Sequence, residues 1–270
     1  MVELSAPVKW ALRLIAVGYV LMLVGWPMVT LAQNAFSDGL TNFTSAFSDP
    51  DVVHAMVLTI EISGWAVAIN TVFGVGMALL LVRYEFPGKR VLSALVDLPM
   101  AVSPVVIGLA LLLVYNGRTG WFGPTLEANG VQVMFAMPAM IMATCFVSLP
   151  LVVREVVPVL TEIGDDQEQA ARSLGASATQ TLRRITLPAI KWAVVYGVVL
   201  TFARSIGEYG ALKIVSGNLS GQTQNAPLVI AQLYDNFAKG EAYAVAFTLV
   251  LLAVLCIVIV SLLRPKESSS

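Results

Sequence analysis

Residues that could do chemistry are few in this chain, and the most telling ones lie where it is greasiest. Arg204 and Glu208 stand four apart in RSIGEYGALKIVSG, on one face of a candidate membrane helix. Ionisable side chains at such depth are costly, so they face a cavity, a partner or each other. Two readings follow. The pair neutralises itself and braces the bundle, or Arg204 lends positive potential to an anion's path. In the second reading Ser205 offers a hydroxyl and Gly207 offers close backbone access. Passage then needs a weak, transient contact rather than a cage. A second candidate is Ser103, which with Asp97 and Pro104 belongs to DLPMAVSPVV. Its two prolines should kink or break the span, and the freed backbone groups are tolerated only where protein or water satisfies them. That kink either shapes packing or forms a gate. Glu61 and Asn70 are nine apart, about 180° round a helix, and take no assigned role.

Other chemistry is missing. Cys145 and Cys256 lie in apolar runs without metal or disulfide spacing and read as packing residues. His54 is the lone histidine, so no metal site is expected. The stretch LSGQ at 219–222 echoes an ATPase signature, but it lacks a glycine and no phosphate-binding G-x-x-x-x-G-K-[ST] loop occurs. Gly74 and Gly76 lack the third glycine of a dinucleotide fingerprint. No Ser/His/Asp or Cys/His set stands out, and no catalytic residue is assigned.

These residues must be positioned by membrane helices. The 270 residues are 57% hydrophobic and 12% charged, with a mean hydropathy of +0.81. Soluble domains carry roughly a quarter charged residues. A span needs roughly 20 apolar residues, and six segments qualify, at about 9–32, 54–82, 91–115, 131–153, 188–212 and 242–263. The first is long for a signal peptide and no cleavage site follows it, so it reads as an uncleaved span.

Lysine and arginine placement sets the orientation. With the N-terminus inside, the inner set is Lys9, Arg13, Arg83, Lys89, Arg90, Arg154, Arg172, Arg183, Arg184, Lys191, Arg264 and Lys266. The outer set is only Arg118, Lys213 and Lys239. Both termini are therefore expected in the cytoplasm. No gap between spans is long enough to carry its own core. The organisation expected is a first helix with an outer loop at 1–53, a transmembrane domain at 54–263 and a tail at 264–270.

One inner gap is a charged island, DDQEQAARSLGASATQTLRRITLP at 165–188. Asp165 with Glu168 three residues on is a helix-start signature, and Gly175 is a natural stop. The helix between them is about nine residues, roughly 14 Å. Ser177 and Gln180 repeat the cap spacing, and Pro188 suits the first turn of the fifth span. Ala170, Ala171 and Leu174 form a compact apolar face with an acidic rim. A helix seeking lipid carries basic residues and large apolar ones, so docking against protein is favoured over an ordinary connector on headgroups.

Here the chain resembles a known family. QAARSLG at 169–175, then ITLP at 185–188, is similar to the EAA loop of permease subunits of bacterial ABC importers. The segments NAFSDGL, FPGKRVLSALVDLPMAVSPVVIGL, GWFGP, FAMPAMIMATCFVSLPLVVREVVPVL and RSIGEYGALKIVSG further resemble the sulfate/thiosulfate permeases of that group. The resemblance implies an all-α, six-helix type I importer permease fold. It implies that coupling helices seat in a cleft of an ATPase subunit through Glu168, Gln169, Ala170, Ala171, Leu174, Gly175 and Pro188. Gln169 stands where the family has Glu, so a salt bridge is not carried over there. The implied partners are two ATPase subunits, a second homologous permease, a periplasmic or lipid-anchored binding protein and membrane lipids, with no nucleic acid. The chain itself takes no cofactor, since ATP and Mg belong to the partner. Arg204, Ser205, Glu208 and Ser103 become candidate pathway residues for a divalent oxyanion across the plasma membrane. Molybdate or tungstate import is the alternative substrate reading. An ion-coupled secondary transporter would want repeated intramembrane carboxylates, which are not found, and a membrane enzyme would want a reactive cluster.

Overall fold

The computed structural model describes residues 6–263, all of whose regular elements are helical. The expected tail at 264–270, with Arg264 and Lys266, lies outside the described residues. In chain order the helices are α1 (Pro7–Ala35), α2 (Thr41–Ser48), α3 (Pro50–Arg83), α4 (Lys89–Ala101), α5 (Pro104–Tyr115) and α6 (Gly123–Ala128). Then come α7 (Met137–Ile163), α8 (Asp166–Ser173), α9 (Ala178–Ile206), α10 (Gly210–Val215), α11 (Ala226–Asp235) and α12 (Lys239–Leu263). Five of them are long and apolar enough to cross a membrane, and α4 with α5 supplies a sixth crossing if the bent pair counts as one span.

Two compact units divide the chain, residues 1–49 with 230–248, and residues 50–229 with 249–270. In the first, Phe36, Phe43 and Phe247 pack in tilted and edge-to-face contacts with centroids 4.8–6.3 Å apart. There buried Asn42 donates to the carbonyl of Ala35 and so closes the end of α1.

The second unit is built round α3, α7 and α9. Gly74 lets α3 meet α7 so closely that a Cβ there would lie 2.8 Å from Val152 Cβ. Small residues at such crossings let membrane helices gain dispersion contacts, since lipid leaves little hydrophobic drive between helices. Asn70 adds a polar tie from the same face, donating to the carbonyl of Cys145 and to Ser148 Oγ at 2.9 Å each. One apolar cluster gathers Ile62, Met140 and Leu212, and another gathers Val152, Val156, Leu160 and Ile190.

Three helices differ from their expected bounds, each for a local reason. The third span is two helices bent by 113°. Pro104 denies Ser103 the helical region, and Val102 and Ser103 are extended with ψ of 138° and 136°. Pro99, the other proline of the motif, stays inside α4. The fourth span starts at Met137 and runs past Arg154 to Ile163, because nothing breaks the helix before Gly164 at φ +69°. The fifth begins at Ala178, is continuous through a π-helical stretch at Leu182–Thr186, and ends at Ile206. Pro188 lacks the N–H that an α-helix would use, and the widened turn just before it absorbs that loss.

Candidate functional site: a clamped short helix and a broken-helix junction

The island folds as α8, eight residues long, where about nine were expected. Its C-terminus is a complete Schellman closure. Gly175 N–H donates to Arg172 O and Ala176 N–H to Ala171 O, both at 3.0 Å, while Gly175 takes φ +85°, a region costly for any Cβ. The second cap also forms as expected, Gln180 N–H donating to Ser177 Oγ and Ser177 N–H to Gln180 Oε1.

The first cap does not. No side chain caps the start of α8: Asp165 accepts from Gln169 instead, and Glu168, which would return the reciprocal bond, is turned inward and 7% exposed. Arg83, at the last residue of α3, reaches it with Nε 3.2 Å from Oε2 and a terminal nitrogen 3.2 Å from Oε1. Thr186 Oγ1 donates to the same Oε1 at 2.9 Å. The guanidinium also donates to Leu160 O at 3.1 Å and Gly164 O at 2.7 Å, satisfying carbonyls at the end of α7. One carboxylate and one guanidinium thus lock α3, α7, α8 and α9 together at one end of the bundle.

The opposite face of α8 is bare. Leu174 is 90% exposed, Ala170 is exposed and Ala171 half-buried. A shallow hollow of about 260 Å3 opens beside Leu174, edged by Gly175, Gln180, Arg184 and Ile185. Gln169 is exposed and donates to Asp165 Oδ2 at 2.8 Å. Pro188 lies on the exposed side of α9, away from this face in sequence by thirteen residues past Gly175.

The pathway candidates gather at a second place. Arg204 and Glu208 do pair, at 2.8 Å, but they straddle the end of α9 rather than lie on one continuous helix. Glu208 is buried, with its side chain 2% exposed, while that of Arg204 is 41% exposed. The carboxylate also accepts from Ala211 N–H at 3.0 Å and so starts α10. Asn225 Nδ2 donates to the carbonyl of Glu208 at 2.8 Å. Ser205 points inward, and its buried hydroxyl has no protein partner. Ser103 sits exposed at the break between α4 and α5. The next residue, Pro104, lies against Gly210, where an added Cβ would come within 3.2 Å of Pro104 Cβ. Two interrupted helices therefore meet, which is how irregular backbone survives at membrane depth.

Sequence reasoning missed Arg83 and Thr186. Arg83 read only as an orientation charge, and it lies 85 residues from Glu168, beyond any helical period. Thr186 was visible as part of ITLP, without a signal for what it grips. Among the described residues no group of three or more metal-ligating side chains is found.

The comparisons agree with this architecture. Residues 70–267 match the family described as binding-protein-dependent transport system inner membrane component. The sulfate transport system permease protein CysW of Synechococcus elongatus is 43% identical over 262 residues, 96% of this chain and 91% of that protein. CysW of Escherichia coli K12 is 44% identical over 88% of this chain and 81% of its own length. Sulfate permease 2 of Chlamydomonas reinhardtii is 43% identical over 93% of this chain and 69% of its length. A crystal structure of a bacterial ABC transporter involved in the import of alginate superposes with a TM-score of 0.76 at 20% identity, covering 94% of this chain and 93% of that one. An inward-facing methionine ABC transporter superposes at 0.61 and 18% identity, covering 78% and 94%. With the helical fold and the matched length both in accord, the chain belongs to the family of binding-protein-dependent transport system inner membrane components.

Proposed function

We propose that the chain is the permease subunit of an ATP-driven importer of sulfate or thiosulfate. The observation that carries this reading is α8 itself, rigidly clamped on one side by Arg83, Glu168 and Thr186 and bare at Leu174 on the other. Such a helix serves as a mechanical input rather than as a lipid contact. The likeness to the CysW proteins over nearly the whole chain supports the substrate class.

In this reading α8 and both termini face the cytoplasm, as the lysine and arginine pattern favours. Two ATPase subunits bind ATP and Mg, a second homologous permease completes the membrane portion, and a binding protein delivers the oxyanion on the outer side. Closure of the ATPase pair moves α8, and the clamp hands that movement to α3, α7 and α9. The junction of Ser103, Arg204, Ser205 and Glu208 lies along the route of the anion, with Arg204 as the exposed positive charge.

Uptake of labelled sulfate in cells lacking their native permease tests the reading, with thiosulfate, molybdate and tungstate as competitors. Sulfate uptake that needs the co-expressed ATPase, and that thiosulfate competes best, is the expected result. Preferential competition by molybdate or tungstate would move the chain to that substrate class. Deleting 165–175 should abolish uptake and ATPase co-purification while the spans remain inserted, and uptake that survives the deletion refutes the coupling role.

A further inference from the structure

A cavity of about 830 Å3 opens in the second unit near the clamped end of the bundle, and the coupling helix does not use it. It lies among the ends of α3, α4 and α7. Its charged lining residues are Glu85, Lys89, Arg90, Asp97 and Arg154. Two of the cations are already matched, Lys89 Nζ to Glu85 Oε1 at 2.6 Å and Arg154 Nε to Asp97 Oδ1 at 2.9 Å. Arg90 has no ion pair among the described residues. The cavity therefore holds one uncompensated positive charge. Its other walls are apolar, with Val91, Val96, Val153 and Val157 among them.

We propose that this cavity binds an anionic phospholipid, with the phosphate on Arg90 and an acyl chain along the valine walls of α4 and α7. A basic group at the mouth of an apolar cleft between membrane helices matches an amphiphile with a charged head. A small inorganic oxyanion would find one free guanidinium there and gain nothing from the apolar walls. The three helices that form the cavity count as spans or as half of the bent pair, so the cavity belongs to the part of the chain long and apolar enough to lie in a membrane. Burying a tail against those walls is favourable in proportion to the apolar area it covers.

Native mass spectrometry of the full-length chain tests this, after extraction from nanodiscs of equal parts phosphatidylglycerol and phosphatidylcholine. The chain should retain phosphatidylglycerol in preference to phosphatidylcholine. Arg90→Ala should lower that retention about fivefold, the effect expected of one basic side chain near an anionic headgroup. Arg90 is exposed and unpaired, so this variant keeps its fold. Ser93→Trp, which fills the cavity from its exposed edge, should lower retention with Arg90 intact. Equal retention of the two lipids, or unchanged retention in Arg90→Ala, overturns the proposal. Displacement of the lipid by sodium sulfate at constant ionic strength also overturns it, since it would mark a site for a soluble oxyanion. None of these readouts measures uptake, so failure here leaves the importer reading standing.

Discussion

Arg83 and Glu168, 85 residues apart in the chain, meet in a two-oxygen grip, with Arg83 Nε 3.3 and 3.2 Å from the carboxylate oxygens. Their side chains are only 14% and 10% exposed. Removing one partner of such a pair leaves the other charge desolvated. Glu168→Ala should therefore cost about 3 kcal/mol, read as a lower Tm of the purified protein. Glu168→Gln, which can still accept from Thr186, should cost less. If the grip transmits movement as proposed, uptake should fall in both more than ATPase binding does, since Glu168 is buried away from the exposed face of α8.

Leu174 makes the opposite prediction. It is 90% exposed, so Leu174→Asp should leave stability within about 0.5 kcal/mol. Affinity for the ATPase subunit should fall about tenfold or more, as for an apolar anchor at the centre of an interface. Pull-down from membranes expressing both subunits measures it. Unchanged affinity would show that α8 docks by its acidic rim.

Gly175 separates backbone from side chain. At φ +85°, Gly175→Val should cost roughly 1–2 kcal/mol, while Gly175→Asn should be milder because asparagine tolerates the left-handed region. Thermal unfolding of both variants decides it, and no loss in either would mean that the Schellman closure contributes little.

For the junction, Arg204→Ala leaves Glu208 buried without its cation and should lower Tm. The double variant Arg204→Ala with Glu208→Gln should regain most of that stability. If the exposed guanidinium serves the anion as proposed, sulfate uptake should stay at least tenfold reduced in the double variant. Recovery of both stability and uptake would reduce the pair to a brace.

The legible parts of this protein were those with a local period or a local stop. Apolar runs located the spans, Pro104 announced the break, Ser177 with Gln180 announced a cap, and Gly175 announced a helix end, and all of these stand. The errors were at boundaries and at Glu168. Arg154 looked like the end of the fourth span because charge marks a membrane boundary, yet helix continues wherever backbone hydrogen bonds do. Asp165 with Glu168 did mark the start of α8, but Glu168 is held by Arg83 and Asp165 accepts from Gln169, so no side-chain cap forms there. Neither Arg83 nor Thr186 could be tied to it by spacing. The pairing of Arg204 with Glu208 was legible at four residues' separation, whereas the meeting of Pro104 with Gly210 depends on three-dimensional packing.

The bend between α4 and α5 bears on how the chain enters its membrane. Its two halves have 13 and 12 residues, about 20 and 18 Å each, so neither alone crosses a hydrocarbon core of roughly 30 Å. Lipid offers the extended residues Val102 and Ser103 no hydrogen bonds, so this stretch is a poor client for insertion by itself. Gly210, which packs on Pro104, emerges from the ribosome more than a hundred residues later. The contact between Gly210 and Pro104 can form only once translation has passed the fifth span, so the packing of this break is a late event whatever the time of insertion.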